Sequence, residues 1–191
     1  MRDNPLKIAI TAEHPVSDES HKITMLLGNG WDYVHLRHPS ASRREMQSIL
    51  EGVDLRLHDR IVLHGHFDLI NDFNIGGVHL NNRCPEAPAS FRGRVSCSCH
   101  SVEEVMVCDS LDYVTLSPIF PSISKPGYSG NFTDDSLRKI SQARVPVVAL
   151  GGITSENVSR LSAYPFAGYA VLGSLEWESD IRRFLNNIQQ F

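Results

Sequence analysis

Short apolar runs recur along the chain at a steady interval: Lys7–Ile10, Tyr33–Leu36, Ile61–Leu63, Gly77–Leu80, Val95–Cys99, Tyr113–Leu116, Val147–Leu150 and Tyr169–Leu172. They are rich in β-branched residues and nearly continuous, the pattern of strands buried on both faces. Helical segments are expected between them. Ser17–Leu27 and Ser42–Leu50 carry apolar residues at helical spacing. Ser101-Val-Glu-Glu104 reads as a capping box with Ser101 as N-cap, and Thr133-Asp134-Asp135 as a hydroxyl cap followed by two acids. Thr154 or Ser155 is placed to cap the next helix, and Asp180–Phe191 forms the last one. Asp68–Asn71 is short, and Glu86–Phe91 is interrupted by Pro88.

Eight strand units in 191 residues leave about 24 residues per unit. That count predicts an α/β fold, a compact (β/α)8 TIM barrel forming one domain over residues 1–191. An open doubly wound sheet is the alternative. It would want a glycine-rich turn after the first strand, where the chain reads Thr11-Ala12-Glu13-His14. Composition adds little to this picture: 41% hydrophobic and 21% charged residues are ordinary for a globular domain. The net charge of −4 argues against a general nucleic-acid or anionic-membrane binder. No apolar run is long enough to span a membrane and the first residues lack a signal-peptide layout, so a cytoplasmic location is expected. The four cysteines, Cys84, Cys97, Cys99 and Cys108, then read as reduced thiols.

Barrels of this kind keep their chemistry at the C-terminal ends of the strands. There the chain carries His35 and Arg37 after strand two, His64-Gly65-His66 after strand three and His79 at strand four. Ser98 and His100 follow at strand five, Gly151-Gly152 after strand seven and Gly173-Ser174 after strand eight. Glycines after the last two strands let backbone N–H groups approach an anion, so a phosphate site is expected there. The longest loop, Ser117–Phe132, is expected to be functional. Its Ser122, Ser124 and Lys125 supply two hydroxyls and an ammonium suited to a phosphate ester. The strand-end histidines could in principle hold a metal, but no carboxylate joins them at these strand ends, and no metal ligand set is assigned.

The stretch Tyr113-Val-Thr-Leu-Ser-Pro-Ile-Phe-Pro-Ser-Ile-Ser-Lys125 resembles the strand-six motif of thiamine phosphate synthases. Gly76-Gly-Val-His-Leu80, Ser96-Cys-Ser-Cys-His-Ser-Val-Glu-Glu104 and Val148-Ala-Leu-Gly-Gly-Ile-Thr-Ser-Glu-Asn157 are similar to further segments of the same family, in the same order. The family also holds the TenI-type thiazole tautomerases. The resemblance implies a thiamine biosynthesis enzyme that joins hydroxymethylpyrimidine diphosphate to hydroxyethylthiazole phosphate and releases diphosphate. It implies that Ser122, Ser124, Gly152 and Ser174 hold the thiazole phosphate, that Lys125 and Ser98 meet the diphosphate, and that Arg37 supports them. The partners would be these phosphorylated small molecules, with no nucleic acid and no membrane; a homodimer stays open.

The chain departs from the synthase pattern at the magnesium site. Magnesium is expected as cofactor from the family, yet Gly65 and Cys84 stand where the synthases carry its two aspartates. The Gln and Lys flanking Arg37 are also replaced, by His35 and Pro39. His35-x-Arg37 and Gly65 look more like the TenI branch, although that branch's catalytic histidine is Pro118 here. Three readings follow: a synthase, a TenI-like tautomerase or thiazole-phosphate-binding protein using His100 or His64 for proton transfer, and a metal-dependent barrel hydrolase. Without the aspartates, anion binding is expected to depend little on magnesium and to strengthen as imidazoles gain charge near pH 6.5.

Overall fold

A computed structural model describes residues 5–121 and 132–191. Eight parallel strands close into a barrel in sequence order. They are β1 (Leu6–Ile10), β2 (Tyr33–Leu36), β3 (Ile61–Leu63), β4 (Gly77–Leu80), β5 (Arg94–Cys99), β6 (Tyr113–Leu116), β7 (Val147–Leu150) and β8 (Gly168–Val171). The last pairs back onto the first, with Ile8 opposite Ala170. Around them lie α1 (Glu19–Gly28), α2 (Arg43–Glu51), α3 (Val102–Val107), α4 (Asp134–Lys139) and α5 (Ile181–Ile188), with 3-10 segments in the third and seventh connections and only turns in the fourth. None of the described helices is long and apolar enough to cross a membrane.

The strands lie within a residue or two of the expected limits, because a barrel strand buried on both faces must be a continuous apolar run. The helices depart more. The connection between β4 and β5 forms no helix at Glu86–Phe91, as Pro88 leaves too short a run for one. Asp68–Asn71 folds as part of a 3-10 segment, Phe67–Asn71. After β7 neither Thr154 nor Ser155 caps a helix. Asn157 instead precedes a 3-10 segment, Val158–Ala163, and its side chain staples the turn, accepting from Thr154 N at 2.9 Å and donating to Gly152 O at 2.8 Å. At α3, Ser101 accepts from Glu104 N as a cap should, but Glu104 Oε2 accepts from His100 N rather than closing the box on Ser101. The complete capping box is at α2, between Ser42 and Glu45.

Two cores result. The larger lies between barrel and helices and includes Trp31, Leu36, Leu50, Phe166 and Phe184. The smaller is inside the barrel, around Ile8, Ile10, Val148 and Ala170. The interior is therefore apolar along β1, β7 and β8. The opposite side holds an aromatic and polar column. Arg94 lies over the Tyr33 ring at 4.6 Å, Tyr33 stacks on Tyr113 at 6.3 Å, and the histidines of the mouth continue from there.

Candidate functional site

The column opens at the C-terminal end of the barrel into a cavity of about 890 Å³. Its walls include Arg37, His64, Gly65, His66, His79, Asn81, Arg83, Ser98, His100, Glu104, Thr115 and Ser117. Strand alternation sets the floor. His35, His79, Ser96 and Thr115 all point inward and are buried. Their polar atoms find partners there, as burial requires. His35 Nε2 bonds the Tyr113 hydroxyl at 2.6 Å and its Nδ1 bonds His64 Nε2 at 2.8 Å. His79 Nδ1 bonds Ser96 Oγ and its Nε2 bonds Ser98 Oγ, both at 2.8 Å.

These imidazoles are held neutral. Burial, reinforced by the neighbouring His79, pushes His35 well below its ordinary value. Burial, with His79, His35 and Arg37 nearby, does the same to His64. Burial and Arg37 bring His79 down to about 4. Burial raises Tyr113, which stays protonated. With Tyr113 donating to His35 and His35 to His64, His35 uses one acceptor and one donor, and His64 accepts at Nε2. The expected gain of positive charge near pH 6.5 therefore does not occur at His35, His64 or His79.

Were strand three to run on through His66, His64 and His66 would share one face. The strand ends at Leu63 instead, and His66 turns into the left-handed region with φ 50°. Its Nε2 bonds Ala41 O at 2.9 Å, yet both imidazoles still border the cavity. A carboxylate does reach the mouth, Glu104, though its oxygen is engaged by His100 N at 2.6 Å. His100 Nδ1 lies 3.3 Å from Ser117 O. No described residue accepts a hydrogen bond from the Arg37 guanidinium, while Arg83 reaches Pro39 O. Arg37 thus borders the cavity with its donors available.

The far rim is formed by the turns after β7 and β8, just beyond the cavity-lining Leu150 and Leu172. Gly151 and Gly152 have φ of 96° and 64°. A Cβ on Gly152 would come within 2.4 Å of Pro121 O, so glycine is required there to seat the start of the strand-six loop. Gly173 and Ser174 begin a 3-10 turn whose Ser174 hydroxyl donates to Ile153 O at 2.6 Å, joining the two turns. Ser122, Ser124 and Lys125 lie outside the described residues, as does most of the Ser117–Phe132 loop. Inspection of strand ends alone missed Tyr113, Ser96 and Thr115. Their signal was parity: each shares the inward register of its strand.

A family model described as thiamine monophosphate synthase matches residues 8–175. The chain belongs to this family. A thiamine phosphate pyrophosphorylase from Bacteroides thetaiotaomicron, solved as a crystal structure, is 34% identical with a TM-score of 0.85, over 97% of this chain and 94% of that one. The thiamine-phosphate synthase of Levilactobacillus brevis is 29% identical over 71% of this chain and 69% of its own length. That of Chloroflexus aurantiacus is 28% identical over 85% and 81%. The match leaves the unrelated barrel hydrolase without support.

Among the described residues, the two positions expected to hold magnesium do not supply its ligands. A hard cation takes oxygen ligands in near-octahedral order. Gly65 offers no side chain and Cys84 a sulfur. Asn81 Oδ1 already accepts from Arg83 N and Cys84 N. His35, His64 and His79 do bring ring nitrogens within 4.8 Å of one another, but nitrogen is not the ligand a hard cation prefers, and both His35 nitrogens are already bonded.

Proposed function

We propose that the chain is a thiamine phosphate synthase-like transferase whose leaving diphosphate is stabilised by the protein's own donors. In this reaction the C–O bond to diphosphate breaks and a bond between the two heterocycles forms. Negative charge grows on the departing group, and preorganised cations and hydrogen-bond donors lower the barrier by meeting it. The observation that carries the reading is the mouth itself. In a chain of net charge −4, it gathers Arg37, Arg83, His66 and His100, and its carboxylate, Glu104, is bonded to His100 N. Arg37 and Ser98 would face the diphosphate, with Lys125 added from the loop. Gly151, Gly152, Gly173 and Ser174 would hold the thiazole phosphate, with Ser122 and Ser124. The test is the coupling of hydroxymethylpyrimidine diphosphate with thiazole phosphate, followed as thiamine phosphate. Thiazole phosphate binding by calorimetry without any coupling would reject the transferase.

A second reading rests on the Tyr113–His35–His64 chain. Three neutral, hydrogen-bonded groups ending at the cavity can take up and pass a proton, the work of a thiazole tautomerase. Incubating thiazole phosphate in deuterated water without the pyrimidine separates the two. Enzyme-dependent deuterium uptake supports proton transfer, and its absence alongside coupling supports the transferase.

A further inference from the structure

Ser96 and Ser98 turn into the barrel to His79, so the intervening Cys97 and the following Cys99 turn out of it, toward α3. Cys108 terminates α3, and the helix folds back so that its sulfur meets the other two. The Cys99 and Cys108 sulfurs are 3.8 Å apart, and all three lie within 4.8 Å of one another. A tetrahedral zinc site with Zn–S bonds of about 2.3 Å places its sulfurs roughly 3.8 Å apart. A disulfide needs about 2.05 Å, so these sulfurs would have to close by more than an ångström to form one. The Cys99–Cys108 spacing matches that of two ligands on one ion, with the Cys97 sulfur within 4.8 Å of both.

We propose that Cys97, Cys99 and Cys108 form a binding site for a single thiophilic cation of the zinc type, outside the barrel and apart from the mouth. Two ligands stand on a barrel strand, so their positions are fixed before the metal arrives. The third closes from α3 over a segment of nine residues, a short loop with a small closure cost. Cys97 and Cys108 are half-buried and Cys99 is buried, which leaves the fourth coordination position open to water. Thiolates are the ligands that soft or borderline d10 ions prefer. On binding, the three S–H protons leave to solvent, including the one Cys108 now directs at Glu104 O over 3.2 Å. The ion would pin α3 to β5, and α3 carries the Glu104 that holds His100 at the mouth.

The experiment is a titration of the reduced full chain with zinc(II), then with cobalt(II) as a spectroscopic stand-in. Thiol alkylation is mapped residue by residue. One equivalent of zinc is expected to slow alkylation of Cys97, Cys99 and Cys108 roughly tenfold or more, because thiolates bound to metal are withdrawn from reaction. Cys84, at the mouth, is the internal control and should react as before. Cobalt is expected to give a sulfur-to-metal charge-transfer band, lost in Cys97→Ser and in Cys108→Ser. Both positions are half-buried, so these variants keep the fold more readily than Cys99→Ser. Equal alkylation with and without zinc would overturn the site, as would cobalt spectra without the charge-transfer band. So would conversion of Cys99 and Cys108 to a disulfide under mild oxidant in the presence of stoichiometric zinc.

Discussion

His79 stands between two serine hydroxyls with Arg37 facing it, and its neutral form is the one the site holds: burial and Arg37 bring it down to about 4. An unfolded chain binds that proton near pH 6.5. Between the two values the unfolded state carries more protons, so stability is full above pH 6.5 and falls as pH drops toward 4. The gap corresponds to about 3 kcal/mol from His79, with His35 and His64 adding in the same direction. Denaturant titrations from pH 7.5 to 4.5 (bracketing the free imidazole value) should show this loss; a flat profile would contradict the neutral chain. Arg37 supplies the part of the shift that is not burial. Arg37→Leu should therefore raise the His79 titration followed by NMR, and should weaken inorganic diphosphate binding by roughly tenfold, the value of one charge-assisted contact. An unmoved His79 would mean that the guanidinium points elsewhere. The residue types at these positions were visible in the sequence. Their neutrality was not, because it depends on strands far apart in the chain closing over one another.

At the scale of elements, the strands were legible to within a residue or two, since each pays no penalty for being apolar throughout. The fourth and seventh connections were not: the fourth holds only turns, and the short 3-10 segment of the seventh leaves no periodicity to read. The turn after β7 shows the difference. A cap was expected at Thr154 or Ser155, but no side chain caps the 3-10 segment, and Asn157 instead bonds back across the turn to Gly152 O. Its role depends on the shape that Gly151 and Gly152 impose, both with positive φ. Gly152→Ala would force a Cβ to within 2.4 Å of Pro121 O and 2.7 Å of Phe120 O. Unlike a simple loss of backbone approach, this displaces the start of the strand-six loop. The expected cost is roughly 1–3 kcal/mol of stability, with a loss of thiazole phosphate affinity that is not recovered at low temperature. A fall in Tm without any change in affinity would separate the turn from the phosphate. Asn157→Ala removes only the staple and should give a smaller loss of both.

For the whole molecule, closure of the barrel brings eight strand ends to one mouth, and the balance of charge there decides what the site can bind. Family resemblance and strand count together gave the barrel and the mouth. The resemblance also raised the expectation of magnesium, and the loss of both aspartates was legible at once as Gly65 and Cys84. What the linear chain could not show is whether another oxygen ligand moves in to replace them. In the folded barrel Asn81 Oδ1 accepts from the Arg83 and Cys84 amides, and one oxygen of Glu104 accepts from His100 N. On the proposed reading, the electrostatic task that a divalent ion performs for diphosphate would fall to Arg37, Arg83 and the N–H donors of the mouth, with Lys125 from the loop. Coupling of the two precursors should accordingly survive chelation, with magnesium changing the rate by less than about threefold, the scale of ionic-strength screening rather than of a ligated ion. Added salt should slow the reaction more than chelator does, since exposed cations are screened and a coordinated metal is not. The assay is the initial rate of thiamine phosphate formation across magnesium and salt concentrations at fixed pH. A saturable magnesium requirement together with indifference to salt would show that an ion is held at this mouth by oxygens that the fold brings in only with substrate bound.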